Sequence, residues 1–130
     1  MVKVISVANP AAGAEISVTV PTGQYWRIVA IHFKLVAAVA AANRLVRLVF
    51  DDGATALFKV PNDVVHVASQ TTEYSFGVAS TFEAAQGATV SAWIYPIPEI
   101  ILPGGCRILT ATAAIQAADQ YSDIRILVGA

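Results

Sequence analysis

Apolar and polar residues alternate with a period of two along most of the chain. Residues 14–20 read AEISVTV, so Ile16, Val18 and Val20 fall on one face and polar side chains fall on the other. Alternation of this kind, rich in β-branched and aromatic residues, predicts half-buried β-strands. It recurs over residues 25–37, 43–50, 54–60, 71–78, 89–103, 105–115 and 121–130.

Turn-forming residues separate these segments at short intervals. Asp51, Asp52 and Gly53 stand between two of the strands, where a glycine accepts the positive φ that hairpin turns require. The Ala-rich stretch 38–43 is too short to stand as a helix alone, although it is able to form a helical turn. About eight strands without a helix predict an all-β, antiparallel sandwich or barrel. We expect one domain over residues 1–130, because no linker or repeat divides the chain.

Several strands carry apolar residues on both faces. On the predicted hairpin, Leu45 and Val49 flank Arg47 on the face opposite the core, and Leu57 follows on the second strand. On the long strand over residues 25–37, we assign Trp26 and Ile28 to the outer face as well. A solvated outer face is mainly polar, so these faces predict covering by loops or by neighbouring chains. The interface residues that we predict are Trp26, Ile28, Leu45, Arg47, Val49, Leu57 and Trp93.

Composition supports an assembled protein. Charged residues make up 13% of the chain and hydrophobic residues 56%, whereas soluble domains average about 25% charged residues. We therefore expect a stable homo-oligomer, a dimer or a trimer. The net charge of -1 and the scattered basic residues argue against nucleic acid as a partner. No stretch has the roughly 18 consecutive apolar residues that span a bilayer, and the first residues make a poor signal peptide.

The residues capable of chemistry do not form a recognisable motif. His32 and His66 are the only histidines, Cys106 is the only cysteine, and neither a metal-ligand spacing nor a nucleophile signature accompanies them. The Asp51-Asp52 pair and the Asp119 and Asp123 segment are the carboxylates worth testing for calcium, but turn chemistry explains both. We predict that the protein is not an enzyme and has no metal or cofactor.

The aromatic residues leave a second kind of binding open. Tyr25-Trp26 and Trp93 with Tyr95 flank predicted strands and are able to form a platform that stacks on a sugar ring. The alternative function is therefore a carbohydrate-binding jelly-roll module, such as a fibre or tail component. A cupin-like or hydrolase enzyme is a weaker third alternative, because it lacks a ligand cluster.

Five short motifs resemble those of small phage virion proteins encoded near head genes. They are P-x-G-x-x-W-R at residues 21–27, N-R-x-V at 43–46, D-x-G at 51–53, L-P-x-G at 102–105 and Q-x-x-D at 116–119. The resemblance runs from about Pro21 to Val128. It implies a jelly-roll-like β-sandwich that decorates or cements a capsid and has no enzymatic activity. The implied partners are the major capsid protein or other virion proteins, and the implied location is the capsid surface, after synthesis in the host cytoplasm.

Overall fold

A computed structural model describes residues 2–62, 64–86 and 90–129, and these contain eleven β-strands. Consecutive strands are joined by turns and loops. The strands are β1 (Lys3–Val7), β2 (Ser17–Thr19), β3 (Tyr25–Val36), β4 (Leu45–Asp51), β5 (Ala56–Val60), β6 (Thr71–Val78), β7 (Glu83–Gln86), β8 (Val90–Ile97), β9 (Ile100–Pro103), β10 (Arg107–Ala113) and β11 (Gln120–Gly129).

The strands form two sheets. The seven-stranded sheet has the order β1-β11-β3-β6-β8-β7, with β9 also paired to β3, and the four-stranded sheet has the order β2-β10-β4-β5. Eight of these strands, β1 to β6 with β10 and β11, follow a jelly-roll connectivity, since the first pairs with the last and most connections cross between the sheets. Strands β7 to β9 are inserted between β6 and β10, and β8 runs parallel to β6.

The predicted antiparallel, jelly-roll-like sandwich is confirmed, although the chain has more strands than the eight expected. The additional strands are short or begin within a longer extended segment. β7 lies in a stretch of small and polar residues that we expected to be a connection, and β9 continues the extended run that begins with β8. Pro96 is accommodated in β8 because β7 pairs only as far as Ile94, which leaves the proline beyond that ladder.

The core lies between the two sheets and is rich in aromatic side chains. Phe33 contacts three rings, those of Tyr74, Phe76 and Tyr121, with centroid distances of 5.4 to 5.6 Å. Trp93 packs edge-on against Tyr74 at 5.3 Å and is fully buried. The prediction that Trp93 lies at an interface is therefore wrong, because its side chain is buried in the core between the sheets.

A bulge in β3 changes which side chains face the core. The register with β11 pairs Ala30 with Leu127 and Ile28 with Val128, so Val29 is an extra residue. One inserted residue reverses the alternation of faces, because side chains alternate with a period of two. Trp26 and Ile28 are consequently buried with exposures of 5% and 0%, in the same core as Ile31. Their assignment to the outer face is thus corrected.

The hairpin between β4 and β5 turns at Asp51–Thr55, as the Asp-Gly signal predicts. The Asp51 carboxylate accepts a hydrogen bond from the amide of Gly53 at 3.0 Å, and Asp52 accepts bonds from the next two amides. Gly53 has a φ of +100°, a region that side chains other than glycine rarely adopt. A Cβ atom at Gly53 would also lie 3.2 Å from the carbonyl oxygen of Gly105. The turn therefore depends on this glycine for two reasons.

Replacing Gly53 by valine should lower stability without changing the fold. The positive φ alone costs about 1–2 kcal/mol for a side-chain-bearing residue, which corresponds to a fall of roughly 3–8 °C in Tm. Thermal unfolding followed by circular dichroism measures the change. Ala54→Val is the matched control, because Ala54 is exposed and is not among the residues with positive φ. Equal Tm values for the two variants would contradict the assignment of the turn.

Candidate functional site

The residues predicted for an interface fall into two groups. Trp26, Ile28 and Trp93 belong to the core, as described above. Arg47 and Leu57 are exposed on the hairpin, with 53% of Leu57 accessible. Leu45 is half-buried, and Val49 is buried, with 7% of its surface exposed. Of the predicted hairpin residues, Arg47 and Leu57 therefore lie outside and Leu45 is partly accessible, whereas Val49 is buried, as are the predicted residues on β3 and β8.

An ion pair between Arg44 and Asp119 is completely enclosed at one end of the sandwich. Both side chains have 0% exposure, and the guanidinium donates from Nε and Nη2 to the two carboxylate oxygens at 2.8 and 2.9 Å. Asp119 also accepts hydrogen bonds from the amides of Ala38 and Gln116, both at 2.8 Å. Burial by itself would raise the pKa of Asp119, but these bonds outweigh it and hold the pKa below its ordinary value.

The same arginine organises the loop over residues 37–43. Its guanidinium donates to the carbonyl oxygens of Ala42, Ala40 and Ala38 at 2.9, 3.1 and 3.4 Å. These bonds wrap the loop around the arginine, so the Ala-rich stretch forms no helical turn. These bonds hold the loop backbone in place, while the side chains of Val39, Ala40 and Ala41 are exposed, with 87% of Val39 accessible.

A second segment continues this apolar surface. His66 pairs with Arg44 through two backbone hydrogen bonds, at 2.9 and 3.0 Å, and the flanking Val65 and Val67 are 38% and 47% exposed. We call the surface formed by Val39, Ala40, Ala41, Val65 and Val67 the loop tip. Its exposed groups are apolar, yet its backbone is fixed by a buried ionic network. A rigid apolar surface of this kind loses little conformational entropy when it binds a partner.

His66 is a buried part of this network and not a candidate catalyst. Its side chain is fully enclosed, with Nε2 2.7 Å from the carbonyl oxygen of Gln70 and Nδ1 3.0 Å from the Tyr74 hydroxyl. In the neutral ring, Nε2 donates to the carbonyl and Nδ1 accepts from the hydroxyl, so both nitrogens are satisfied. Burial lowers the pKa of His66 below 6.5, and the Arg44 guanidinium adds to this effect.

The free energy of unfolding should therefore decrease as the pH is lowered below about 6.5. The unfolded chain binds a proton at His66 before the folded chain does, so lowering the pH from 7.5 to 5.5 favours unfolding, with a limiting slope of about 1.4 kcal/mol per pH unit. Urea unfolding at both pH values measures this loss for the wild type and for His66→Gln. Subtracting the loss measured for the variant from that of the wild type isolates the contribution of His66. A loss of equal size in the variant would contradict the assignment.

At the opposite end of the sandwich, motif residues contact one another or a residue close to a motif. Arg107 donates from Nε and Nη2 to the Asp51 carboxylate at 2.9 and 2.7 Å, and this pairing lowers the pKa of Asp51. A Cβ atom at Gly104 would lie 2.7 Å from the Pro21 carbonyl oxygen, so the turns at 21–24 and 103–106 are in close contact. The quoted motifs therefore encode contacts that maintain the fold.

A third surface lies where the edges of the two sheets approach each other. Phe58, Lys59 and Pro61 from the four-stranded sheet and Phe82 and Tyr95 from the other side line a groove of about 360 Å³. A second hollow, of about 340 Å³, is lined by Glu83, Ala84, Ala85, Ala92 and Ile94 of β7 and β8. We call the groove lined by Phe58, Lys59, Pro61, Phe82 and Tyr95 the edge patch. Its lining is mainly apolar. Glu83 and Ile94 pair with each other and lie on the outer face of the seven-stranded sheet.

The remaining candidates for chemistry are dispersed. Cys106 is buried, and His32 lies on the outer face beside Glu73 at 3.5 Å. No group of three or more potential metal ligands occurs among the described residues. Neither tryptophan presents a ring face for sugar stacking, because Trp26 and Trp93 are enclosed in the core. Within the described ranges there is also no helix long and apolar enough to cross a membrane.

Sequence reasoning did not identify the Arg44–Asp119 pair, although both residues occur in the quoted motifs. From the sequence alone, Asp119 is a candidate calcium ligand or turn residue, and Arg44 is one of the scattered basic residues. The available signal was an arginine and an aspartate each preceding a strand, in N-R-x-V and Q-x-x-D. The two positions are 75 residues apart, so only the sheet order brings them together.

No protein family, curated protein or solved structure matches this chain.

Proposed function

We propose that this protein is a non-enzymatic phage virion component, a capsid cement or decoration protein that binds the assembled shell and stabilises it. The resemblance of five motifs to small virion proteins suggests this function. The sandwich fold and the low proportion of charged residues are compatible with a structural role in an assembly. The partners in this proposal are the major capsid protein and further copies of the chain itself.

The observation that carries the proposal is the loop tip. Isolated apolar residues at a protein surface need no explanation, but here the exposed Val39 lies in a loop whose carbonyl oxygens accept hydrogen bonds from the buried Arg44 side chain. The exposed Val65 and Val67 flank His66, whose backbone pairs with that of Arg44. Enclosing two charges is expensive unless their geometry is good and their remaining hydrogen-bonding groups are satisfied. The pair at Arg44 and Asp119 meets this condition by bonding to the loop backbone. A rigid apolar end is suited to fitting into a depression between shell subunits.

Shell binding would stabilise the capsid in two ways, through multivalent attachment and through mass action on the assembly equilibrium. A capsid presents many equivalent sites, so an oligomer able to occupy two of them holds more firmly than one contact allows. A protein that binds the assembled shell but not the free subunits shifts the equilibrium away from disassembly. The loop tip provides the contact in this mechanism, and no chemical step is needed.

The test uses shells of the phage that encodes this chain, purified from a strain in which the gene is deleted. Wild-type protein should sediment with these shells in a saturable manner and raise the temperature at which they release DNA. Val39→Asp should weaken shell binding at least tenfold, because it places a charge on the loop tip. Ile101→Asp is the matched control, since Ile101 is 58% exposed and lies on β9, outside the loop tip. Wild-type protein that fails to sediment with the shells would overturn the proposal.

A further inference from the structure

Residues 64–70 precede β6 and carry two of the three valines of the loop tip. Within these residues, the buried side chains are those of His66 and Gln70, with 0% and 8% exposure, and both are polar. The Gln70 side chain donates to the Ser91 hydroxyl at 2.9 Å. A segment that buries little apolar surface opens at a lower free energy than the sheets unfold. Residues 64–70 are therefore expected to open before the sheets do.

His66 joins both loops of the loop tip to the larger sheet. Its backbone exchanges two hydrogen bonds with Arg44, and its Nε2 lies 2.7 Å from the carbonyl oxygen of Gln70. The same carbonyl oxygen accepts a hydrogen bond from the amide of Ala37 at 3.0 Å, at the start of the other loop. The ring also stacks on Tyr74 of β6, with a centroid distance of 6.1 Å. Loss of this one side chain from its site would free both loops.

The surroundings of the His66 ring leave no anion free to accept a second cation. The charged groups that act on the ring are the Arg44 guanidinium and the Asp119 carboxylate. The carboxylate already accepts two bonds from the guanidinium and two from backbone amides. From β6 the ring faces the Tyr74 hydroxyl, which stays uncharged because burial raises its pKa. A proton on the ring would therefore add an uncompensated positive charge to an enclosed site.

We propose that His66 is a pH-sensitive switch for the loop tip: in acid its protonation opens residues 64–69, and with them the loop tip, while the two sheets stay folded. In the open segment the ring reaches water and takes up a proton with ordinary affinity, whereas the closed segment resists protonation. Opening is thus favoured as the pH falls below about 6.5. Lowering the pH from 7.5 to 5.5 raises the opening constant by up to about tenfold.

This regulation rests on the proposed function, because the loop tip is the surface that contacts the shell in that proposal. The apparent affinity of a ligand is reduced by the fraction of the protein that is not in the binding-competent state. Acid would then release the protein from the shell without unfolding the sandwich. The opening itself is a property of the free protein, so it is testable without a capsid.

Hydrogen exchange of the complete free chain, followed by NMR and corrected for intrinsic exchange rates, measures the opening at pH 7.5 and 5.5. The amides of His66 and Ser69, which donate to carbonyl oxygens of the other loop segment, should open more readily than the amide of Thr110 in β10. Their opening constant should rise about tenfold at the lower pH in the wild type and remain constant in His66→Gln. His32→Gln is the matched control, since His32 lies on the outer face beside Glu73, and it should retain the rise.

Shells from the deletion strain give a second result. Wild-type protein should bind them more weakly at pH 5.5 than at pH 7.5 with an unchanged circular dichroism spectrum, whereas His66→Gln should bind equally at both. Loop-tip amides as protected as that of Thr110, or a rise in opening that persists in His66→Gln, would overturn the switch. Free protein that opens in acid but never sediments with shells would leave the switch standing and overturn the capsid proposal.

Discussion

Replacing Asp119 by alanine is expected to be the most damaging single change described here. The substitution leaves the Arg44 guanidinium fully enclosed without its anion and removes the acceptor for the Ala38 and Gln116 amides. Breaking one side of a buried ion pair costs about 3–5 kcal/mol, which corresponds to a fall of roughly 10–20 °C in Tm for a domain of this size. Urea unfolding monitored by tryptophan fluorescence measures the cost.

Two further variants separate the effect of burying the ion pair from the effect of its charges on stability. Asp123→Asn removes an exposed partner of Lys34 and should cost less than about 1 kcal/mol, as surface pairs generally do. Arg44→Met combined with Asp119→Leu removes both buried charges. This double variant should recover only part of the lost stability, because the loop carbonyls and amides still lack their partners. If Asp119→Ala costs no more than Asp123→Asn, the pair is not enclosed as described.

Replacing Trp93 by alanine should cause the second large loss, of about 3–5 kcal/mol, as truncations of buried large aromatics do. The side chain is fully buried between the sheets and contacts Tyr74. Its indole Nε1 is enclosed without a hydrogen-bond partner among the described residues, and an unsatisfied buried donor destabilises the folded state. Removing the indole abolishes this cost, which offsets part of the stability lost with the ring. Thermal unfolding together with sedimentation velocity distinguishes loss of stability from loss of association.

Tyr25→Ala is the appropriate comparison for Trp93→Ala. Tyr25 is 74% exposed on β3, so its truncation should change the free energy of unfolding by about 0.5 kcal/mol or less. For Trp93→Ala we expect a large fall in Tm with the oligomeric state of the folded fraction unchanged. A stable Trp93→Ala protein that dissociates would instead return the residue to an interface.

The sequence was sufficient to predict strands because the period of two is a local property. β4, β5, β10 and β11 were all recognised from alternation and turn residues. β7 was not, because Glu83, Ala84 and Ala85 have no strand preference and become a strand only by pairing with β8. The N-terminal strand β1 likewise depends on β11, its partner from the other end of the chain.

The faces of the strands were harder to predict than the strands themselves. Alternation predicts two faces but does not say which one is buried when both are apolar, as at Trp26 and Ile28. The bulge at Val29 then reverses the faces within one strand, and no glycine marks it. The surfaces that remain exposed, the loop tip and the edge patch, are formed by residues brought together from different strands and loops. Local pattern alone does not locate them.

The place of β11 in the seven-stranded sheet has a consequence for synthesis. β11 lies between β1 and β3, so neither strand has its native neighbour on that side until residues 120–129 have left the ribosome. The Val- and Ile-rich segments made earlier are then exposed in the nascent chain, where unpaired strands are prone to aggregate. Folding of this sheet is therefore a late event, and chains arrested before β11 should be sensitive to protease and bound by chaperones.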